Sequence, residues 1–245
     1  MVRYYGTHGP NTVEMQAKTA PIPAPWKLPM RLTAIDLSCR RGGRDVFSGV
    51  GFTVQSGEAL AVTGRNGAGK SSLLRLVAGF IRPCGGRLGF EGGDPELSLA
   101  EQAHYLGHQD AVKPSLSVAE NLQFWAAFLG AGPHNVGEAL ETFGLGGISA
   151  LPAAYLSAGQ RRRLSIARLV AVKRPVWLLD EPTSTLDAGA QDRLADVMRS
   201  HLAESGLVLA ATHASLGLPG VKELRLGETD REPAPAALTR GEGRP

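Results

Sequence analysis

Short apolar runs, bounded by glycine or polar residues, punctuate the middle of this chain. Residues 32–37 and 50–54 read as short strands. Leu60-Ala61-Val62-Thr63 has the continuous apolar character of a buried strand and runs directly into a glycine-rich turn. Residues 71–78 continue with helical spacing. From about 91 to 171 the pattern is mostly helical. Within it, Ser117-Val118-Ala119-Glu120 has the spacing of a capping box, in which the two side chains satisfy each other's free backbone amides. It predicts a helix through Phe128. Ser157 and Gln160 repeat the box ahead of a helix over 161–171. Residues 176–179 form the next apolar run and 208–211 another. Strands alternating with helices predict an α/β fold with a mostly parallel sheet. No internal repeat is visible, so one such unit is expected.

The ends of the chain break this rhythm. Residues 1–29 contain Pro21-Ile22-Pro23-Ala24-Pro25 and no apolar period, which predicts disorder. Met30 is a candidate start of translation. From 227 onward, Glu232-Pro233-Ala234-Pro235 and a glycine-rich end predict a loose tail. The working domain is therefore expected over 30–226, with a helical subdomain at about 91–171.

Composition narrows the classes. The chain has 245 residues, 43% of them hydrophobic, enough for a sizeable core. Net charge is +3, without a long basic run. The densest cluster, Arg161-Arg162-Arg163, reads as a solvated helix face. Tracking a phosphate backbone needs several aligned cations, so nucleic acid is not an expected partner. Cys39 and Cys84 form no CxxC pair, which argues against a metal site or disulfide framework and for a reducing cytosol. No apolar run approaches the roughly 20 residues needed to span a bilayer. The N-terminus lacks a signal-peptide core. Any membrane event this chain serves therefore requires another polypeptide.

The chemistry-bearing residues follow the strands. Gly64-Arg65-Asn66-Gly67-Ala68-Gly69-Lys70-Ser71 fits the pattern GxxxxGK[ST], with a strand before it and a helix after it. Its glycines let backbone amides crowd around a phosphate, and the positive end of the helix points there. Lys70 can reach β- and γ-phosphates, and Ser71 offers a hydroxyl to Mg²⁺. The run 176–179 leaves Asp180 at its carboxyl end, placed to hold Mg²⁺. Glu181 would then stand beside the γ-phosphate, able to polarise an attacking water. His213 follows the run 208–211, in the order expected of a γ-phosphate sensor. Gln109 opens the helical region.

Together these pieces resemble the ATP-binding cassette (ABC) family over roughly residues 32–226. The order carries the resemblance: a Walker A loop at 64–71, Gln109, the signature Leu156-Ser157-Ala158-Gly159-Gln160, a Walker B strand ending at Asp180, Glu181, the loop Ser184-Thr185-Leu186-Asp187, and His213. It implies a P-loop NTPase core with an N-terminal antiparallel β-subdomain and an inserted helical subdomain. It also implies ATP and Mg²⁺, with Glu181, His213 and Gln109 catalytic. Nucleotide would lie on Gly64 to Ser72, including Arg65, Asn66, Ala68 and Ser72. Mg²⁺ would be held by Ser71, Gln109 and Asp180. Cassettes of this family bind ATP head to tail, so Ser157, Gly159 and Gln160 would act in trans within a homodimer.

Two departures stand out. Arg41 occupies the position where the family stacks adenine on an aromatic ring; a guanidinium can also stack on a base. Ala158 replaces a customary glycine, and one methyl leaves the backbone amides free.

The segment 105–125, with Gly107-His108-Gln109, Lys113 and Glu120-Asn121-Leu122, is similar to the CcmA-type branch that serves cytochrome c maturation and heme export. That implies a peripheral protein on the cytoplasmic face of the bacterial inner membrane, paired with CcmB- and CcmC-type integral membrane subunits. Heme ligation by His104 or His108 is not expected, because a neutral loop histidine is commoner than a ligand. Phe124, Trp125 and Phe128 read as helix core, or as a groove for a coupling helix of the membrane subunit. An exporter of a drug, peptide or lipid is the alternative, followed by a soluble nucleic-acid- or ribosome-associated ABC ATPase.

Overall fold

The computed structural model describes residues 29–130 and 135–227; apart from Pro29 and Gly227, the disorder expected over 1–29 and the tail expected over 227–245 lie outside the described residues. Two sheets organise the domain. Strands β1 (Arg31–Arg41), β2 (Arg44–Gln55) and β4 (Gly85–Glu91) form an antiparallel sheet in the order β2-β1-β4. Strands β3 (Ala59–Gly64), β5 (Ala103–Leu106), β6 (Val176–Asp180), β7 (Leu207–Ala211) and β8 (Lys222–Leu226) form a parallel sheet in the order β5-β6-β7-β3-β8.

β6 and β7 are buried at every residue, as expected of parallel strands covered on both faces. Alternate side chains feed two separate apolar clusters. Val176 and Leu178 join Leu207 and Leu209, helix α1 (Lys70–Val77) and the inner face of β1. Trp177 and Leu179 join Val208, Ala210 and helices α2 (Val118–Phe128), α3 (Val136–Thr142), α4 (Ala158–Ala171) and α5 (Ala188–Ala203). α1 thus lies between the two sheets, and the other helices cover the far face.

Both expected capping boxes are present. Ser117 Oγ accepts from Glu120 N at 3.2 Å, and Glu120 Oε2 accepts from Ser117 N at 2.7 Å. Ser157 Oγ accepts from Gln160 N at 3.2 Å, and Gln160 Oε1 from Ser157 N at 2.8 Å. Ser117→Ala is expected to cost about 1 kcal/mol, read as a lowered urea midpoint with an unchanged slope.

The structure corrects two expectations and bears on a third with two readings. The stretch 91–171 is not helical throughout, because 103–106 form β5. Ala103 pairs with Val176 and Leu106 with Leu179. Four residues, Ala-His-Tyr-Leu, are too few to show a strand or helix period. His104 lies in this strand, and its Nε2 is 2.7 Å from the carbonyl oxygen of Val172; burial pushes its pKa down to about 3. Second, Arg161-Arg162-Arg163 is not a uniformly solvated face, since Arg162 is only 2% exposed. Successive helical residues point about 100° apart, so a helix packed on two sides must turn one of three inward. Of the aromatic residues of α2, readable as helix core or as a groove, two lie at the surface. Phe124 and Phe128 are exposed and stack with ring centroids 6.1 Å apart.

Candidate functional site

Parallel strands bring their carboxyl ends to one edge of a sheet, where the loops that follow can converge on a ligand. Here β3 ends at Gly64, β6 at Asp180 and β7 at Ala211, with Val62 and Asp180 both paired with Ala211. The loop 64–69, the pair Asp180-Glu181 and Thr212-His213 therefore meet.

Two glycines make the first loop possible. Gly64 has φ 130°, and a Cβ there would lie 2.4 Å from the carbonyl oxygen of Leu226. Gly69 caps α1 with φ 104°, and a Cβ there would meet Val46 at 2.7 Å and Phe47 at 2.9 Å. The loop is thus pressed between β8 and the β1–β2 hairpin. That hairpin turns at Gly42-Gly43, both left-handed, and carries Arg41 on its exposed side next to an Arg40–Asp45 ion pair of 2.7 Å.

Polar side chains tie the strand ends together. Ser71 Oγ donates to Asp180 Oδ1 at 2.9 Å across 109 residues of sequence. The other carboxylate oxygen, Oδ2, is buried without a hydrogen-bond partner. A half-buried hydroxyl beside a buried carboxylate with a free oxygen is a donor set suited to a hard divalent cation, so Ser71 and Asp180 fit Mg²⁺. Lys70 Nζ donates to the carbonyl oxygens of Gly64 at 2.9 Å and Arg65 at 3.4 Å. It also lies 2.7 Å from His213 Nε2, which is 3.0 Å from Asn66 Oδ1 and 3.8 Å from Glu181 Oε1. Ser72 is buried behind the loop.

Glu181 has φ 46°, rare for a residue with a side chain and a conformation that its neighbours must hold. Its N–H donates to Ala211 O at 2.8 Å, and its carbonyl accepts from Ser184 Oγ at 2.8 Å and from Arg162 Nη2 at 2.8 Å. Arg162 also donates to Asp180 O at 2.9 Å and, through Nη1, to Gly107 O at 3.0 Å and Asp110 Oδ1 at 3.3 Å. Sequence reasoning missed this residue. Three adjacent arginines carry no sign of which one turns inward.

Gln109 lies on the loop after β5 and is exposed; among the described residues it makes no hydrogen bond to Ser71 or Asp180. Ser157 and Gln160 bond to each other at the start of α4 rather than to the loop 64–72. A Cβ on Gly159 would lie 3.1 Å from Thr185 O, so the signature abuts the loop 184–187 of its own chain.

The ABC transporter family model matches residues 47–184. The chain is 61% identical over 198 residues to a "Cytochrome c biogenesis ATP-binding export protein CcmA" of Nitrobacter winogradskyi, covering 81% of this chain and 98% of the relative. It is 60% identical over 205 residues to the protein of that name in Nitrobacter hamburgensis, covering 82% of this chain and 100% of the relative. A solved "ATP binding subunit of ABC transporter" superposes with a TM-score of 0.67 and 26% identity, over 74% of this chain and 79% of the other.

Proposed function

The chain belongs to the ABC transporter family of ATP-binding proteins, and from that premise we propose that it is the ATP-hydrolysing subunit of a membrane complex that serves cytochrome c biogenesis and heme export. The observation that carries this reading is the near-full-length identity with the cytochrome c biogenesis export proteins, joined to a complete phosphate loop, Asp180, Glu181 and His213 at one sheet edge.

ATP lies along Gly64 to Ser72, its phosphates against the loop amides and the N-terminal end of α1. Lys70 neutralises the β- and γ-phosphates, and Ser71 and Asp180 would hold Mg²⁺, with Gln109 joining them from the exposed loop after β5. The cation, when bound, lowers the charge on the phosphates and on the departing ADP. Glu181 orients the attacking water and draws off its proton. His213, between Lys70, Asn66 and Glu181, is within reach of the γ-phosphate. The Arg41 hairpin flanks the loop on the side of Val46 and Phe47 and offers a guanidinium face to the base. Ser157, Gly159 and Gln160 open α4 and meet the γ-phosphate bound to a second copy, so hydrolysis belongs to a homodimer.

No helix among the described residues is long and apolar enough to cross a membrane. Attachment at the cytoplasmic face of the inner membrane therefore runs through CcmB- and CcmC-type membrane subunits. The surface for them is α2, where Phe124 and Phe128 are exposed, Lys113 Nζ lies 4.1 Å from the Phe124 ring centre and Trp125 packs over Arg168. Heme is cargo of the complex rather than a ligand of this subunit; His104 is buried with its Nε2 2.7 Å from Val172 O.

Affinity purification of the full chain from detergent-solubilised membranes tests this reading. Integral membrane subunits and heme-handling proteins are expected to copurify. Phe128→Asp is expected to reduce that recovery by about tenfold, as for loss of an exposed aromatic anchor, while leaving ATP turnover of the isolated chain intact. Membrane subunits without heme-handling proteins would move the cargo to a drug, peptide or lipid. Recovery only from the cytosol, with RNA, would overturn the transport assignment.

A further inference from the structure

Among the described residues Arg162 is the largest of the fully buried side chains, and nothing in the ATPase chemistry above uses it. Its two terminal nitrogens serve different parts of the fold. Nη2 holds the carbonyls of Asp180 and Glu181, at 2.9 and 2.8 Å. Nη1 holds the loop that carries Gln109, through Gly107 O at 3.0 Å and Asp110 Oδ1 at 3.3 Å. The residue itself stands on α4, five positions after Ser157.

We propose that Arg162 is a positioning residue for ATP hydrolysis, one rigid plane that sets the Asp180-Glu181 strand end against the loop 107–110. The inference rests on the reading of Asp180 and Glu181 as metal-holding and water-orienting carboxylates.

Three observations lead to it. Burying a guanidinium is expensive, and well-packed apolar residues usually fill such a space as well or better. The side chain leaves its Nε without a partner, yet spends both terminal nitrogens on these two segments. Second, a guanidinium is planar and its donors are fixed relative to one another, so groups bound to opposite nitrogens are held at a set distance and angle. A lysine at the same place would supply charge without that geometry. Third, Glu181 sits in the left-handed region at φ 46°. Its carbonyl is held by Arg162 and Ser184, which fixes the backbone from which its side chain projects. α4 begins at the signature, so any shift of the helix reaches the main chain of Asp180 and Glu181 and the Gln109 loop through one side chain.

Kinetics of the full-length chain test this, at protein concentrations where specific activity has reached its plateau. Arg162→Lys is expected to lower kcat by about 10²-fold, the size of effect that a small misplacement of catalytic groups produces. KM for ATP should stay within about threefold of the parent, because the loop 64–72 is untouched and uniform binding is preserved. The Mg²⁺ concentration for half-maximal rate should rise, by about fivefold or more, because Asp180 is no longer held in place.

Arg162→Met, which removes the charge, should lose more than Arg162→Lys. If the methionine variant does not fold, the lysine variant and Asp110→Asn carry the test, the latter expected to shift the Mg²⁺ dependence in the same direction. A purely structural role predicts another pattern: less folded protein, with kcat per folded molecule and Mg²⁺ dependence unchanged. That pattern, or parental kinetics for Arg162→Lys, would overturn the proposal. Glu181→Gln run alongside separates the two readings. Parental turnover in Glu181→Gln refutes the role of Glu181, whereas a dead Glu181→Gln beside a normal Arg162→Lys refutes only the role of Arg162.

Discussion

Glu181→Gln is expected to reduce ATP turnover by at least about 10²-fold, the usual contribution of a general base, while ATP still binds. The swap is nearly isosteric, so the backbone at φ 46° and its bonds to Ala211, Ser184 and Arg162 can persist. What is lost is the ability to take a proton. Lys70, Ser71 and Asp180 remain, so affinity for ATP is retained. In the proposed homodimer hydrolysis would open the pair, so the variant should accumulate as a closed, ATP-loaded pair. Size-exclusion chromatography with ATP and Mg²⁺ reads the dimer, and phosphate release reads the rate. Turnover equal to the parent would refute Glu181 as the base.

The second large effect is expected at a residue with no place in its own chain's phosphate loop. Gly159→Asp should lower kcat by about 10²-fold or more, in the range found for removing one oxyanion donor. The start of α4 favours an anion, and an aspartate there would occupy that field itself and repel a partner's γ-phosphate. Its Cβ would also approach Thr185 O, 3.1 Å away, so the melting temperature must be measured with the rate. ATP binding to the variant's own loop should be unaffected. The same model requires the parent's specific activity to rise with protein concentration as dimers form. Normal turnover in Gly159→Asp, or full activity from a proven monomer, would remove the trans arrangement.

Much of this was legible in the chain. The strands 60–63, 176–179 and 208–211 are continuous apolar runs, and all three are central strands of the parallel sheet. Both helix starts with a serine and a glutamate or glutamine three positions on carry reciprocal caps. The glycine-loop motif and the acidic end of an apolar strand made Ser71 and Asp180 candidates for one site, and they bond at 2.9 Å. What stayed hidden depends on tertiary contacts. β4 and β8 are edge strands with largely exposed side chains, so neither gives an apolar run. β5 is too short to declare its type. The inward turn of Arg162 depends on how α4 is packed, and the backbone of Glu181 on bonds from three other segments. The proximity of the β1–β2 hairpin to Gly69 is likewise invisible, because neither partner signals the other.

β6 sends Val176 and Leu178 to one side of the sheet and Trp177 and Leu179 to the other, and Asp180 continues the first set toward Ser71. All four preceding residues are apolar, so either parity would still bury the strand. Only the carboxylate distinguishes them, since a shift of one residue turns every side chain to the opposite face. In evolutionary terms, the strand can accept exchanges of one oily residue for another. It cannot accept a codon gained or lost, even one that leaves its hydrophobicity unchanged.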